Sequence, residues 1–104
     1  MINNPHYLYR MTVLVAVSSL ANYVSQDVLC NTMLPVVIRC SSDRVPNVKF
    51  NVAKMLERIV PLVDQSVINH TVKPCLTDLA EDPDVDVRFY ARQALTACEN
   101  QHPQ

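Results

Sequence analysis

The chain is 104 residues long with nine basic and ten acidic side chains, a net charge of −1, and no Lys/Arg cluster long enough to follow a phosphate backbone, so nucleic acid is not an expected partner. Glycine is absent where average usage would supply about seven, which argues against the positive-φ turns of tight hairpins, phosphate-cradling loops and dinucleotide-binding folds. No apolar run approaches the ~20 residues that span a bilayer, and no charged stretch precedes an apolar one at the N-terminus, so a soluble intracellular protein with no membrane partner is expected.

Taken in order, residues 1–24 contain a turn at Pro5-His6 and a helix from about Leu8 to Val24. Its apolar stripe of Tyr9, Val13, Ala16, Val17, Leu20 and Val24 has the three- and four-residue steps of a buried helical face. This helix has no partner upstream in the chain, so its outer flank is expected to be wet or to seek another protein. Ser25-Gln26-Asp27 links it to a second helix, Val28 to Ser42, burying Leu29, Met33, Val37 and Cys40. Pro35 lies inside that helix, where it removes an amide donor and predicts a bend or a new helix start.

The turn Asp43-Arg44-Val45-Pro46 leads to Asn47, whose side chain is expected to cap the next helix, with Asp86 in the same role one helix pair later. The third helix, Val48 to Val60, buries Val48, Val52, Met55, Leu56 and Ile59, turns Lys49, Lys54, Glu57 and Arg58 outward, and stops at Pro61. Asp64-Gln65-Ser66 then opens a fourth helix from Val67 to Ala80, burying Ile68, Val72, Leu76 and Leu79. An acidic turn follows, with Glu81, Asp82, Asp84 and Asp86 close together and no compensating base. The last helix, Val87 to Glu99, buries Val87, Ala91, Ala94, Leu95 and Cys98, and residues 100–104 form a polar, frayed tail.

These elements repeat. The stretch DRVPNVKFNVAKML from Asp43 to Leu56 is echoed 39 positions later by DPDVDVRFYARQAL and 39 positions earlier by NPHYLYRMTVLVAV. Pro35 and Pro74 share the same register in the preceding helices. Each unit is helix, turn, helix, giving an incomplete unit at 1–24, a complete one at 25–63 and another at 64–99. A period near forty with two helices points to HEAT or armadillo repeats, an all-α superhelical solenoid of five helices. The proline inside the first helix, the Asp after it and the Val-Lys or Val-Arg opening the second resemble HEAT in particular. About three repeats are usually needed for an independent fold, so isolated stability is expected to be marginal.

Chemistry is sparse. Cys30, Cys40, Cys75 and Cys98 form no C-x-x-C pair, and the last three lie on apolar faces, which predicts buried reduced thiols rather than a zinc or disulfide framework. His6, His70 and His102 have no repeated spacing to acids or cysteines, so no nucleophile and base converge and no enzyme, cofactor or metal is expected. The acidic turn lacks the glycine and ligand spacing of an EF-hand loop. Repeat stacking instead sets Pro5-His6-Tyr7, Arg44-Val45-Pro46 and Pro83-Asp84-Val85 side by side as a ridge. Tyr7, Val45 and Val85 have no evident core duty there, which makes them candidate anchors for a protein partner.

The segments YLYRMTVL, MLPVV, DRVPNVKFNVAKML, VKPCL and EDPDVDVRFYARQAL together resemble the C-terminal HEAT repeats of the scaffold (A) subunits of protein phosphatase 2A, over Asn3 to Leu95. The resemblance implies the second helix of one repeat followed by the last two repeats of a horseshoe solenoid. It further implies that the phosphatase catalytic subunit docks on the ridge of turns, while regulatory B subunits bind only through upstream repeats that this chain lacks. Carried over residue by residue, the partner contacts fall on Tyr7, Arg10, Arg44, Val45, Asn47 and Asp84, with Asp86 beside the last and Val45 foremost. The cytoplasm, with the nucleus as a second compartment, is the location it implies. The alternative is a structural solenoid cap or HEAT adaptor fragment that binds no partner by itself.

Overall fold

The computed structural model describes residues 5–100, with side chains from Leu8 onward. Among the described residues five helices make an all-α solenoid in two layers. Helices α1 (Pro5–Leu20), α3 (Pro46–Ile59) and α5 (Val85–Asn100) stack on one another in one layer, while α2 (residues 26–40) packs on α3 and α4 (residues 65–79) on α5 in the other. The molecule measures 48 × 29 × 17 Å along its principal axes.

Both helices of the second layer are wound the same unusual way. In α2 a π-helical turn, Leu29–Met33, precedes Leu34-Pro35, and in α4 a π turn, Ile68–Val72, precedes Lys73-Pro74. The amide of Leu34 reaches the carbonyl of Leu29, and that of Lys73 the carbonyl of Ile68, each five residues back. A proline has no amide to donate and its ring crowds the carbonyl four residues earlier, so widening the preceding turn lets each helix continue. The proline disturbance expected from sequence is thus a bulge within a continuous helix.

Further ends differ from expectation for local reasons. The α-helical part of α3 stops at Ile59, and Pro61 sits inside a 3-10 turn, Val60–Leu62, that carries the chain toward α4. Ser25 Oγ accepts the amide of Val28 and so caps α2 from within the link. Helix α5 runs on through Asn100; residues 101–104 lie outside the described residues.

The core is one continuous cluster that threads all five helices. Its centre is α3, where Val48, Val52, Ala53, Leu56 and Ile59 have no exposed surface, together with Val37 of α2, Val72 and Leu76 of α4, and Val87, Ala91, Ala94 and Cys98 of α5. The cysteines are free thiols; Cys40, Cys75 and Cys98 are buried and Cys30 is half-buried. Burial pushes all four thiols above their ordinary value.

Helix α1 departs from the expected pattern. Its buried residues are Leu14 and Val17, joined by Ala21 just beyond its end, whereas Tyr9 is 70% and Leu20 47% exposed and Ala16 is also exposed. On a helical wheel this buried face is turned by about 80° from the stripe drawn by spacing alone. The reason is that α1 is apolar on nearly all sides, so α3, the helix it packs on, selects the side that is covered.

Candidate functional site

The turns between layers are built by their aspartates. Asp43 Oδ1 accepts the amide of Val45 at 2.9 Å, closing a small side-chain turn before α3, and Val45 itself stands in extended backbone at the N-cap with Pro46 in the first helical turn. Helix α3 therefore starts ahead of Asn47, which lies in the first turn and whose carbonyl accepts from the side chain of Asn51 at 2.6 Å. Asn47 is not the cap that its spacing predicts. In the second turn Asp84 Oδ1 accepts the amides of Asp86 at 2.9 Å and Val87 at 3.2 Å. Asp84, rather than Asp86, is the cap of α5.

Each turn is tied to the preceding member of the odd-numbered layer. Arg10 of α1 forms an ion pair with Asp43, and Lys49 of α3 one with Asp82. The two pairs span the same 33 residues and have the same place in successive units, since a base one turn into a helix reaches the aspartate of the next interlayer turn. Lys49 is thus half-buried and bonded, not turned outward, and the acidic turn does have a compensating base. That common offset between base and acid is visible in the letters and is the signal that identifies Asp43 and Asp82 as tie residues.

The expected partner-binding residues are in varied surroundings. The Tyr7 side chain lies outside the described residues. Arg10 is half-buried and engaged with Asp43, so it ties two units together. Arg44 is exposed beside it. Val45 is partly buried and packs against the core, which corrects the expectation that it has no core duty; it stands at the head of α3 just before the fully buried Val48, and its apolar side chain is drawn to the same core. Asn47 and Asp84 are half-buried, the latter holding the start of α5. Val85 is 65% exposed. Arg10, Arg44, Asp43, Ser42 and Val45 line a shallow groove of about 350 Å³, so the structure brings three of the expected residues together there. Among the described residues no three His, Cys, Asp or Glu side chains are grouped to hold a metal, and no helix is long and apolar enough to cross a membrane.

No family model matches the chain. Individual proteins do. The chain is 35% identical over 100 residues to the PP2A regulatory A subunit of Saccharomyces cerevisiae, a match covering 90% of this chain and 16% of that protein. It is 56% identical over 55 residues to the alpha isoform of the 65 kDa regulatory A subunit of serine/threonine-protein phosphatase 2A from Arabidopsis thaliana, and 51% identical over 55 residues to the PP2A 65 kDa regulatory subunit of Drosophila melanogaster. Each of these two matches covers 53% of this chain and 9% of the relative, so the chain spans a small part of the length of the proteins it resembles. With the repeated helix pairs, the Asp-tied turns and an alignment covering 90% of its residues, the chain is homologous to the regulatory A subunits of protein phosphatase 2A, a HEAT-repeat family.

Proposed function

We propose that this chain is a non-enzymatic scaffold segment of a protein phosphatase 2A complex, that its helices pair as repeats at 25–63 and 64–99, and that its interlayer turns contact the catalytic subunit. The observation that carries the reading is the extent of the yeast match: 90% of the chain necessarily includes both the Asp43 turn and the Asp82 turn. The exposed Arg44 in the groove beside Val45 supports the first turn as the contact. Regulatory B subunits belong to upstream repeats in this reading.

The test is retention of purified phosphatase catalytic subunit by the immobilised 104-residue chain and by its variants Tyr7→Ala and Arg44→Glu. Arg44 is the more telling position, because it is exposed and its replacement leaves the core intact, whereas Val45→Asp would also disturb packing. Retention by the parent chain and a drop of about tenfold in either variant is the expected result. Undiminished retention removes these residues from the interface. A second reading, a structural unit of the solenoid that binds no partner alone, draws on the internal duties of Arg10, Asp43 and Asp84; a folded chain that retains no catalytic subunit favours it.

A further inference from the structure

The side of α5 turned away from α3 is uncovered. Val85 and Phe89 are 65% and 59% exposed there, and with Arg88, Arg92, Gln93 and Thr96 they line a shallow groove of about 390 Å³ that holds two guanidinium groups and no carboxylate. What suits this groove can be read from the same face one repeat earlier, where it is covered. Moving back 39 positions turns Arg88, Phe89 and Arg92 into Lys49, Phe50 and Ala53. Lys49 pairs with Asp82, Phe50 stacks on Tyr90 with ring centroids 5.6 Å apart, and Ala53 has no exposed surface. The face is therefore of a kind that receives a helix and an adjoining turn bearing an aromatic ring and a carboxylate.

Two differences narrow the occupant. Arg88, unlike Lys49, makes no ion pair among the described residues, and its Nη1 donates instead to the carbonyls of Asp82 at 2.8 Å and Pro83 at 2.9 Å in its own turn. Arg92 stands where the covered face has alanine and reaches back to the carbonyl of Ala80, at the end of α4, at 3.4 Å. A helix laid on α5 as α5 is laid on α3 covers Arg92, and a covered guanidinium needs an anion opposite it. The chain's own α1 offers none, since Pro5–Leu20 contains no Asp or Glu, so head-to-tail stacking of a second copy brings neither arginine a carboxylate.

We propose that the outer face of α5 docks an acidic helix of a partner protein, with an aromatic side chain over Phe89 and carboxylates at Arg88 and Arg92. This surface runs along α5, and the proposal does not depend on the phosphatase reading. The test is an amide NMR titration of the full chain with a helix-stabilised peptide of about twenty residues carrying one tyrosine flanked by glutamates at three- and four-residue spacing, and with its lysine-for-glutamate version. The acidic peptide should shift the amides of residues 85–96 and bind about tenfold more tightly than the basic one, and Phe89→Ala should weaken it about tenfold. Arg92→Glu should reverse the preference between the two peptides, an exchange that loss of folding cannot produce. Equal binding of the peptides, no binding, or shifts confined to α1 would overturn the proposal. So would self-association of the chain in sedimentation velocity that Phe89→Ala abolishes, because the occupant would then be a second copy.

Discussion

Asp82 accepts from Lys49 through one carboxylate oxygen and from the amide of Asp84 through the other. Burial alone would raise its carboxyl, but these two bonds, with the charges of Lys49 and Arg88, outweigh burial and hold it below its ordinary value of 3.8. A carboxyl lowered on folding stabilises the fold fully above its unfolded value, and that contribution is lost as pH falls through the lower, folded value. Urea unfolding should therefore show the parent chain losing stability as pH drops below 3.8, with Asp82→Asn losing less over the same window. At pH 7 Lys49→Met should cost about 1–2 kcal/mol, between the exposed and fully buried ion-pair cases, and the cost should shrink once Asp82 is protonated. The two partners were legible as a recurring offset of base and acid, but their contact was not, because they lie on neighbouring units and only stacking brings them within reach.

Helix starts show where local rules stop. Both turns place an Asp or Asn just ahead of or just inside the apolar run, and spacing alone favours Asn47 and Asp86 as caps. In the first turn Pro46, with its preset φ and missing amide, starts the helix earlier and leaves Asn47 inside it. In the second, Asp84 takes two amides and Asp86 only adds charge to the first turn. Asp84→Ala should accordingly cost about 1 kcal/mol in urea unfolding, against about 0.3 kcal/mol for Asp86→Ala; equal losses would return the cap to Asp86. The π turns of α2 and α4 were foreshadowed by Pro35 and Pro74, whose shared register marked the same disturbance in both helices. Its form as a bulge, rather than a break, follows from burial at the widened turns: Leu29, which opens the first, Leu34, which follows it, and Ile68 and Val72, which bound the second, are all buried and hold each helix together.

Across the whole molecule, burial is uneven. Helix α3 is packed on both sides and has five residues with no exposed surface, whereas α1 is covered on one side and leaves Leu8, Tyr9, Val15 and Leu20 in contact with solvent. In a stack where each unit leans on its neighbours, such an imbalance makes the ends open before the middle. Amide exchange should give lowest protection in α1 and highest in α3, and thermal unfolding followed by circular dichroism should be broad. A sharp, high-temperature transition with uniform protection would contradict this. The same imbalance sets the two uncovered faces apart: that of α1 is apolar without acids, while that of α5 mixes an aromatic ring with two arginines.

The number of helices, their approximate ends and the buried stripes of α3, α4 and α5 were determined by the amino-acid sequence alone. Apolar periodicity and the punctuation by proline and aspartate act within a few residues of chain, and a 39-residue echo needs no coordinates to be seen. The tertiary structure alone decided which side of α1 is buried, that Val45 turns inward, and that Lys49 and Arg10 reach the aspartates of the next turn. The covered side of α1 and the two ion pairs depend on what a neighbouring helix or turn sets opposite a side chain, and that opposing surface comes from residues more than thirty positions away.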